Sequence, residues 1–308
     1  MLRFIARRLL QLVPVLFAVV TLTFFLVRAA PGGPFLEDRS LPPDVVQRLN
    51  AYYGFDKPLH KQYLNYLGNL LRGDLGRSLK YTNRSVNEII AERFPVSLEL
   101  GIYALALALM LGLAAGLTAA LYRGSPTDHI TMAVAMAGIC IPSFVIGPIL
   151  ALTLGLGLGW FDVAGWETPG HRVLPAITLS LACIAYIARL SRGSMLEVLP
   201  QDYIRTARAK GLSERRVIAR HALKNALIPV VSFLGPAAAG LFTGSFVVET
   251  IFQIPGLGKM FVEAAFNRDY LLTLGLVVFY AFVVVLFNLF ADIALAWLNP
   301  QVRSGVVA

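Results

Sequence analysis

Long apolar stretches separated by short polar segments account for most of the sequence. Six of these stretches are near or above the length of about 20 apolar residues that a helix needs to span a bilayer. They cover residues 9–27, 96–122, 130–156, 173–188, 227–248 and 271–298. Because lipid offers no partners to unpaired backbone groups, a spanning segment must be a helix or part of a closed barrel. The pattern predicts an all-α, polytopic membrane protein with six transmembrane helices.

The composition agrees with this prediction and limits the classes of molecule that are expected as partners. Of 308 residues, 57% are hydrophobic and 15% are charged, whereas soluble domains carry about 25% charged residues. The formal net charge of +9 is concentrated beside the apolar stretches, which favours membrane lipid and argues against nucleic acid as a partner. Cys140 and Cys183 lie inside apolar stretches and suggest neither a disulfide framework nor a metal site.

Basic residues in the short loops predict the orientation. With the N-terminus inside, the inner segments carry nine Lys and Arg residues between positions 189 and 224, together with Arg3, Arg7, Arg8, Arg123 and Arg303. The two short outer loops carry only Arg172, Lys259 and Arg268. Both termini are therefore predicted to be cytoplasmic. The first stretch has about 19 uncharged residues, more than the 7–15 of a signal peptide, so we interpret it as an uncleaved anchor.

These assignments predict four parts in the chain. They are a cytoplasmic N-terminus with the first transmembrane helix (1–28), an external helical segment (29–95), a five-helix transmembrane core (96–298) and a cytoplasmic tail (299–308). The core includes a cytoplasmic loop at 189–226.

The external segment has its own helical signals. Helix spacing of apolar residues predicts one helix that Pro42 and Pro43 open and that reaches Tyr53, and another from about residue 59 to residue 71. Ser85 and Glu88 have the spacing of a capping box, which predicts a further helix start. Two roles stay open for this segment: contact with a delivery protein, or a cap over the outer face.

The cytoplasmic loop is the most informative segment of the chain. A short helix is predicted from Asp202, with Tyr203, Ile204 and Ala207 on one apolar face. Gly211 should end this helix, because glycine readily adopts the left-handed conformation of a helix C-terminus.

A second helix should follow the glycine. Ser213 is its predicted N-cap, and Pro229 marks where it gives way to the fifth apolar stretch. A basic segment that only fixes topology or binds anionic lipid would explain the charge of this loop. It would not explain a glycine elbow between two amphipathic helices.

This loop resembles the coupling loop of the membrane subunits of ABC importers, which carries the EAA motif with a central glycine. The match is to the branch that serves peptides and nickel, and it covers the run YIRTARAKG at 203–211. Generic members of the family have an acidic residue where Arg205 stands, so the chain departs from the broad motif and follows this branch. The resemblance extends over nearly the whole chain and includes RAAPG at 28–32, GDLG at 73–76, IPSF at 141–144, ETIF at 249–252 and IPGLG at 254–258.

The resemblance implies a type I ABC importer transmembrane domain in the inner (cytoplasmic) membrane, with no catalytic activity and no cofactor of its own. ATP and Mg²⁺ would be bound by partners. The implied partners are a second homologous permease subunit, two cytoplasmic ABC ATPase subunits and an extracytoplasmic substrate-binding protein. The implied cargo is peptides, best matched by oligopeptides, with dipeptides or nickel as alternatives. The residues implied to couple to the ATPases are Asp202, Tyr203, Ile204, Arg205, Thr206, Ala207, Arg208, Ala209, Lys210 and Gly211.

The third and fifth apolar stretches contain helix breakers, Pro142 in one and Gly235-Pro236 in the other. Lipid tolerates broken helices only beside protein or a water-filled cavity, so these stretches are candidates for lining a passage. The candidate lining residues are Pro142, Ser143, Pro236, Thr243 and Ser245. Helix packing through small residues is the alternative. An outer gate or docking site is predicted at Glu249, Pro255, Gly256 and Gly258.

Ionisable residues inside a span cost about 2.5–3.5 kcal/mol at its centre and are therefore functional candidates. Glu99 and Glu249 are expected near the outer ends of their spans, close to water. Only Asp292 lies well inside one, which favours a structural or intersubunit bond over a proton relay. An ion-coupled secondary transporter is the more distant alternative. The sequence contains no nucleotide-binding loop, catalytic triad or metal-ligand spacing.

Overall fold

The computed structural model describes residues 2–29, 33–35, 42–81 and 83–298, with side chains from residue 8 onwards. These residues are mostly helical and contain no β-strand beyond an isolated bridge between Arg77 and Ser85. Their α-helices, in chain order, are α1 (Leu2–Ala29), α2 (Pro43–Tyr53), α3 (Leu59–Leu71), α4 (Val86–Leu121), α5 (Pro126–Cys140), α6 (Ser143–Leu150), α7 (Val173–Val198), α8 (Asp202–Ala209), α9 (Glu214–Val217), α10 (Leu223–Ala226), α11 (Ile228–Phe242), α12 (Phe246–Ile251), α13 (Leu257–Phe266) and α14 (Tyr270–Leu298).

Within this part of the chain, five helical segments are long and apolar enough to cross a bilayer. They are Arg8–Ala29, Val86–Leu121, Pro169–Val198, Ile228–Ile251 and Tyr270–Leu298. A sixth is present if α5 and the segment Ser143–Gly157 are counted together as one bent span. Each predicted stretch therefore has a helical counterpart, and the number of spans is five or six.

Helix α4 extends well beyond its apolar stretch. It begins at the predicted capping box: the Glu88 N–H donates to Ser85 Oγ at 3.1 Å, and the Ser85 N–H donates to the Glu88 carboxylate at 2.9 Å. The helix then continues through Pro95. Its 36 residues correspond to about 54 Å at 1.5 Å per residue, whereas the hydrocarbon core of a bilayer is about 30 Å thick. The apolar stretch that starts at residue 96 is thus the membrane part of a longer helix.

The fourth predicted span is also part of a longer helix. Helix α7 starts at Val173, where the apolar stretch begins, but it ends at Val198 rather than at residue 188. The stretch ends where Arg189 interrupts the apolar pattern, although the backbone stays helical. Hydropathy marks what lies in lipid, and it does not mark where a helix ends.

Helices α4 and α7 pack with their backbones in close contact. A Cβ atom added to Gly112 would lie 2.8 Å from Ile187 Cβ. A Cβ atom added to Gly116 would lie 2.0 Å from Ser191 Oγ and 2.4 Å from the carbonyl oxygen of Ala188. Only glycine fits at such distances. Small residues allow helices in lipid to approach closely and to gain van der Waals contact.

An ion pair fixes α5 beside this helix pair. The carboxylate of Asp128 is almost fully buried and accepts two hydrogen bonds from Arg192 of α7, both 2.7 Å long. It also accepts the Gly124 N–H at 3.0 Å, which closes the turn between α4 and α5. Asp128 thereby connects α5 with the turn that precedes it and with α7.

The third apolar stretch is broken. Helix α5 and the segment that begins with α6 are bent by 105° relative to each other. Ile141 and Pro142 have extended backbone conformations at the break. Proline lacks an N–H and disfavours a helical conformation in the residue before it, which explains the position of the bend. The predicted break at Pro142 is present.

The predicted break at Gly235-Pro236 is wrong. Helix α11 passes through Pro236 and ends at Phe242. Gly235 keeps this part of the helix pressed against α14, since an added Cβ would lie 2.8 Å from Ala291 Cβ. The helical conformation is instead interrupted at 243–245. Gly244 in this segment has a φ of +88°, which lies outside the range of a right-handed helix.

The outer segment packs on the first and last spans. Helices α2 and α3 have the extents that the apolar spacing predicted. Tyr66 of α3 is buried against Phe24 of α1 and Leu274 of α14. The outer segment therefore packs directly against the first and last membrane-spanning helices.

A buried carboxylate adds a second attachment. Asp269 is fully buried at the start of α14, where its Oδ1 accepts the Leu272 N–H at 3.1 Å. Its Oδ2 accepts the N–H groups of Leu79 and Lys80 at 3.0 and 3.3 Å, and the Ser78 hydroxyl donates to the same oxygen. One side chain thus caps the last span and holds the loop that precedes α4. The sequence patterns did not indicate this role.

We expect Gly116→Ala to destabilise the folded chain by about 1–3 kcal/mol, because the new methyl group would overlap α7. Gly193→Ala is the matched control: Gly193 lies in α7, the helix that Gly116 contacts, but an added Cβ there meets nothing within 4 Å. The control should be neutral or slightly stabilising, since alanine favours helices more than glycine does. Thermal unfolding of the two purified variants measures the difference. Equal stability of the two variants would contradict the tight contact between α4 and α7.

Candidate coupling loop and outer gate

Helix α8 lies on a hydrophobic cluster formed by the chain itself. Ile204 is fully buried and Ala207 is nearly so. They pack against Ala120 of α4, Met195 of α7 and Val217 of α9. The cluster brings the ends of two long helices into contact with the loop, so a displacement of α8 acts directly on both.

Tyr203 departs from the predicted apolar face. Its side chain is 41% exposed, and its hydroxyl accepts a hydrogen bond from Asn225 Nδ2 at 2.8 Å. A phenol ring can pack by one edge and keep its polar tip in water, which the apolar spacing alone does not show. Tyr203 therefore joins the two helices of the loop at its surface.

Gly211 ends α8 in the predicted manner. Its φ is +77°, and its N–H donates to the carbonyl oxygen of Arg208 at 2.9 Å. Nothing lies within 4 Å of a Cβ atom added at this position. The constraint on Gly211 inside this chain is therefore backbone conformation and not lack of space.

The sequence patterns did not predict an ion pair that spans the elbow at Gly211. Arg208 Nε and Nη2 donate to the two carboxylate oxygens of Glu214 at 3.1 and 2.6 Å. This pairing lowers the pKa of Glu214 and raises the pKa of Arg208. Ser213 stands at the predicted N-cap position of α9, but its hydroxyl makes no capping hydrogen bond. The bidentate pair, rather than a side-chain cap, closes the elbow.

The rest of the loop faces outwards from the chain. Apart from Ile204 and Ala207, every residue predicted to couple is exposed: Asp202, Tyr203, Arg205, Thr206, Arg208, Ala209, Lys210 and Gly211. Arg205 lies 3.6 Å from Asp202 one turn earlier, and both side chains are largely in solvent. The exposed side of α8 is a polar surface of mixed charge that is available to another protein.

A second site is centred on Glu249, at the opposite end of α4 from the loop. Glu249 was expected close to water, and this expectation is wrong because its side chain is fully buried. Ser97 Oγ of α4 donates to Glu249 Oε1 at 2.8 Å, and the Lys259 N–H donates to Oε2 at 2.8 Å. Ser97 Oγ also accepts the Leu257 N–H at 2.8 Å. The carboxylate thus joins α4, α12 and the start of α13.

Glycines make this burial possible. A Cβ atom on Gly256 would lie 2.3 Å from Glu249 Cδ, and one on Gly258 would lie 2.9 Å from the carbonyl carbon of Gly244. The loop after α12 therefore surrounds the carboxylate with glycine backbone, which carries no side chain. Pro255 stays exposed at its tip, where its carbonyl oxygen accepts a hydrogen bond from Arg93 at 3.4 Å. The fold brings together the four residues predicted to form an outer gate or docking site: Glu249, Pro255, Gly256 and Gly258.

The residues predicted to line a passage lie in three separate elements. Pro142 and Ser143 lie at the bend between α5 and α6, and Pro236 is exposed in the middle of α11. Thr243 donates to the carbonyl oxygen of Ala239 at 3.0 Å, and Ser245 caps α12 by accepting the Val248 N–H at 3.4 Å. The hydroxyls of Thr243 and Ser245 therefore already have partners within their own segments.

The ionisable residues inside the spans have partners as well. Asp292 lies 3.1 Å from Arg8 Nε, so an ion pair within the chain joins α14 to α1. Glu99 Oε1 accepts a hydrogen bond from Arg172 at 2.6 Å, near the indole of Trp166. No group of three or more His, Cys, Asp or Glu side chains that could hold a metal ion occurs in the described ranges.

Comparison with known proteins places this arrangement in a family. The family model described as “Binding-protein-dependent transport system inner membrane component” matches residues 108–304, and the model for the N-terminal part of such components matches residues 1–101. The fold resembles that of the MetNI methionine ABC transporter, with a TM-score of 0.56 and 16% identity over 68% of this chain and 96% of that chain.

Curated relatives match over nearly their whole length. The oligopeptide transport system permease protein OppB of Haemophilus influenzae is 48% identical over 305 residues, which cover 98% of this chain and 100% of the relative. The OppB protein of Escherichia coli K12 has the same identity and coverage. The dipeptide transport system permease protein DppB of Bacillus subtilis is 43% identical, with 98% of each chain covered. The chain belongs to the family of inner membrane components of binding-protein-dependent transport systems.

Proposed function

We propose that this chain forms one half of the membrane passage of an ATP-driven peptide importer, and that ATPase subunits act on it through α8 and Gly211. The observation that carries the proposal is the loop itself. Its apolar residues, Ile204 and Ala207, are buried against the ends of α4 and α7, while its polar side is exposed for a partner. A segment of this kind can receive a force and transmit it into the membrane.

The proposed cargo follows from the relatives. Those with 48% identity are named as oligopeptide permeases, and relatives with 43% identity are named as dipeptide permeases. Identity that extends over 98% of the chain covers the outer segment as well as the loop. We assign oligopeptides as the cargo class, with dipeptides as the nearest alternative.

The family and the exposed polar side of the loop support the proposed partners. With both termini in the cytoplasm, the basic loop faces the cytoplasm and can meet two ATPase subunits that hold ATP and Mg²⁺. A single chain with five or six spans needs a second, homologous permease to enclose a path. A binding protein on the opposite side would deliver peptide to the surface around Glu249 and the outer segment.

The contacts supply a route from the loop to the outer gate. The inner end of α4, at Ala120, packs in the same cluster as Ile204. Towards its other end, Ser97 of the same helix is hydrogen-bonded to Glu249. Because the glycine contacts make α4 and α7 a rigid pair, movement of α8 would reach the loop at 253–259 without large changes inside the membrane.

The first test is Gly211→Asp in the assembled importer. We expect ATPase retention and peptide-stimulated ATP hydrolysis each to fall by at least about tenfold, because a carboxylate on the exposed elbow costs roughly 1.4 kcal/mol or more in a docked interface. Co-purification and ATP hydrolysis with saturating peptide-loaded binding protein measure these effects.

Gly159→Asp is the control for that test. Gly159 also has a positive φ, +63°, and an added Cβ meets nothing within 4 Å, but it lies far along the chain from the loop. It imposes similar backbone strain without altering α8. Normal coupling in Gly211→Asp, or equal losses in both variants, would show that the elbow is not where the ATPases act.

The second test is Ser97→Ala, which cuts the link between α4 and Glu249. We expect a stability loss of about 1–3 kcal/mol, because the Leu257 N–H and the carboxylate each lose a partner. Peptide uptake should fall about fivefold or more while the ATPases remain bound, since only the outer end of the linkage is affected.

Ser191→Ala provides the comparison for Ser97→Ala. Ser191 is equally buried, but its hydroxyl donates only to carbonyl oxygens of its own helix, at 2.7 and 3.2 Å. Uptake per assembled complex should therefore be nearly normal in Ser191→Ala. The proposed linkage would be refuted by the same uptake per complex in both variants.

A further inference from the structure

A cavity of about 210 Å³ lies in the outer segment, between the end of α1, helices α2 and α3, and the start of α14. Its polar lining includes Arg28, Lys57, Asn65, Tyr66, Asn69 and Asp74. None of the residues assigned above to ATPase coupling, the passage or the outer gate lines it. The cavity is therefore distinct from the coupling loop, the candidate passage residues and the candidate outer gate.

Two hydrogen-bond donors at this cavity have no acceptor in the part of the chain that the structure describes. Arg28 Nε and the Tyr66 hydroxyl are both buried and have no hydrogen-bond partner among the described residues. Tyr66 is only 7% exposed, and burial raises its pKa to about 12, which keeps the hydroxyl protonated and able to donate. Buried polar groups in folded proteins nearly always have partners, so two such donors beside one cavity indicate an acceptor that the described residues do not supply.

The guanidinium of Arg28 is held in place by neutral groups. Arg28 Nη1 donates to Gln62 Oε1, and Gln62 Nε2 in turn donates to the carbonyl oxygens of Phe55 and Lys57 at 3.0 and 2.7 Å. The guanidinium carbon lies 4.9 Å from the ring centre of Phe24 and 4.8 Å from that of Phe55. These contacts orient the cation without neutralising it.

The charges around the cavity are unequal. Arg28 and Lys57 supply two cations, and Asp74 is the one acidic side chain among the described residues that line it. The Asp74 carboxylate already accepts the Gly76 N–H at 2.8 Å within its own turn. The balance favours an anion with oxygen acceptors, which a guanidinium recognises through charge-assisted hydrogen bonds.

We propose that this cavity binds an oxyanion, a carboxylate or phosphate group, which Arg28 and Tyr66 hold by hydrogen bonds. Such a group has two sources at this position, namely a phospholipid headgroup or a small soluble anion. The site goes beyond the proposed transport function and does not depend on it, because it is formed within this chain by the outer segment and the adjoining ends of α1 and α14.

The test uses the full complex in a maltoside detergent, which carries no anionic group. Its thermal unfolding is followed as sodium phosphate, sodium acetate or short-chain phosphatidylglycerol is added, with sodium chloride at equal ionic strength as the reference. We expect at least one of these probes to raise the unfolding temperature above the chloride reference. A response to phosphate or acetate identifies a soluble anion, and a response to phosphatidylglycerol alone identifies a lipid headgroup.

Two tyrosines of α3 make the test specific. Tyr66→Phe should leave the complex as stable as wild type without a probe, because it removes an unpartnered hydroxyl, but should weaken the apparent affinity for the probe about fivefold. Tyr63→Phe is the control: its hydroxyl is hydrogen-bonded to Thr21 Oγ1 at 2.7 Å, and it does not line the cavity. It should lower stability without a probe and leave the response to the probe unchanged.

Arg28→Gln should abolish the response, and Tyr66→Phe keeps the test decisive if that variant does not fold. The proposal is overturned if wild type shows no response beyond chloride. It is equally overturned if Tyr66→Phe and Tyr63→Phe respond to the probe as wild type does.

Discussion

The close backbone contact between α4 and α7 is the constraint on which the rest of the structure depends. Gly112 and Gly116 bring α4 onto α7, and Gly101 brings the same helix against α11, where an added Cβ would lie 2.4 Å from Phe242 Cδ1. Lipid supplies no hydrophobic force between helices, so such close packing must provide the attraction. Helix α4 becomes the central element that contacts both the inner loop, through Ala120, and the loop around Glu249, through Ser97.

Two buried carboxylates each accept hydrogen bonds from backbone N–H groups of a loop. Glu249 holds backbone N–H groups at the start of α13, and Asp269 holds those of the loop at 78–80. A carboxylate away from water is stable only when its oxygens are well supplied with donors. Each loop is therefore folded around a buried carboxyl group, and the hydrogen bonds that this group accepts hold the loop in place.

The sequence predicted the features that follow from local patterns. The capping box at Ser85, the elbow at Gly211 and the bend at Pro142 are each set by a few neighbouring residues, and all three are present. The missed features depend on residues distant in the chain. The burial of Glu249 requires Ser97, which lies 152 positions earlier, and the persistence of α11 through Pro236 depends on its packing against α14.

Sequence patterns also carry little information about the surfaces on which this chain assembles with others. Hydropathy locates lipid-embedded residues, but it cannot show which exposed face of α11 or α5 meets water, lipid or a second permease. The exposed side of Pro236 and the hydroxyl of Thr243, which is already bonded within its helix, do not by themselves define a passage. The proposed passage requires a second chain that encloses those faces.

The burial of Ile204 and Ala207 has a consequence for the order of assembly. Because α8 is packed on residues of its own chain, the loop needs no ATPase to shield apolar surface after it leaves the ribosome. The face left for a partner is charged, so its attraction weakens as salt is added. In the proposed importer, this membrane subunit can therefore fold first and bind its ATPases afterwards, and high ionic strength should weaken that binding.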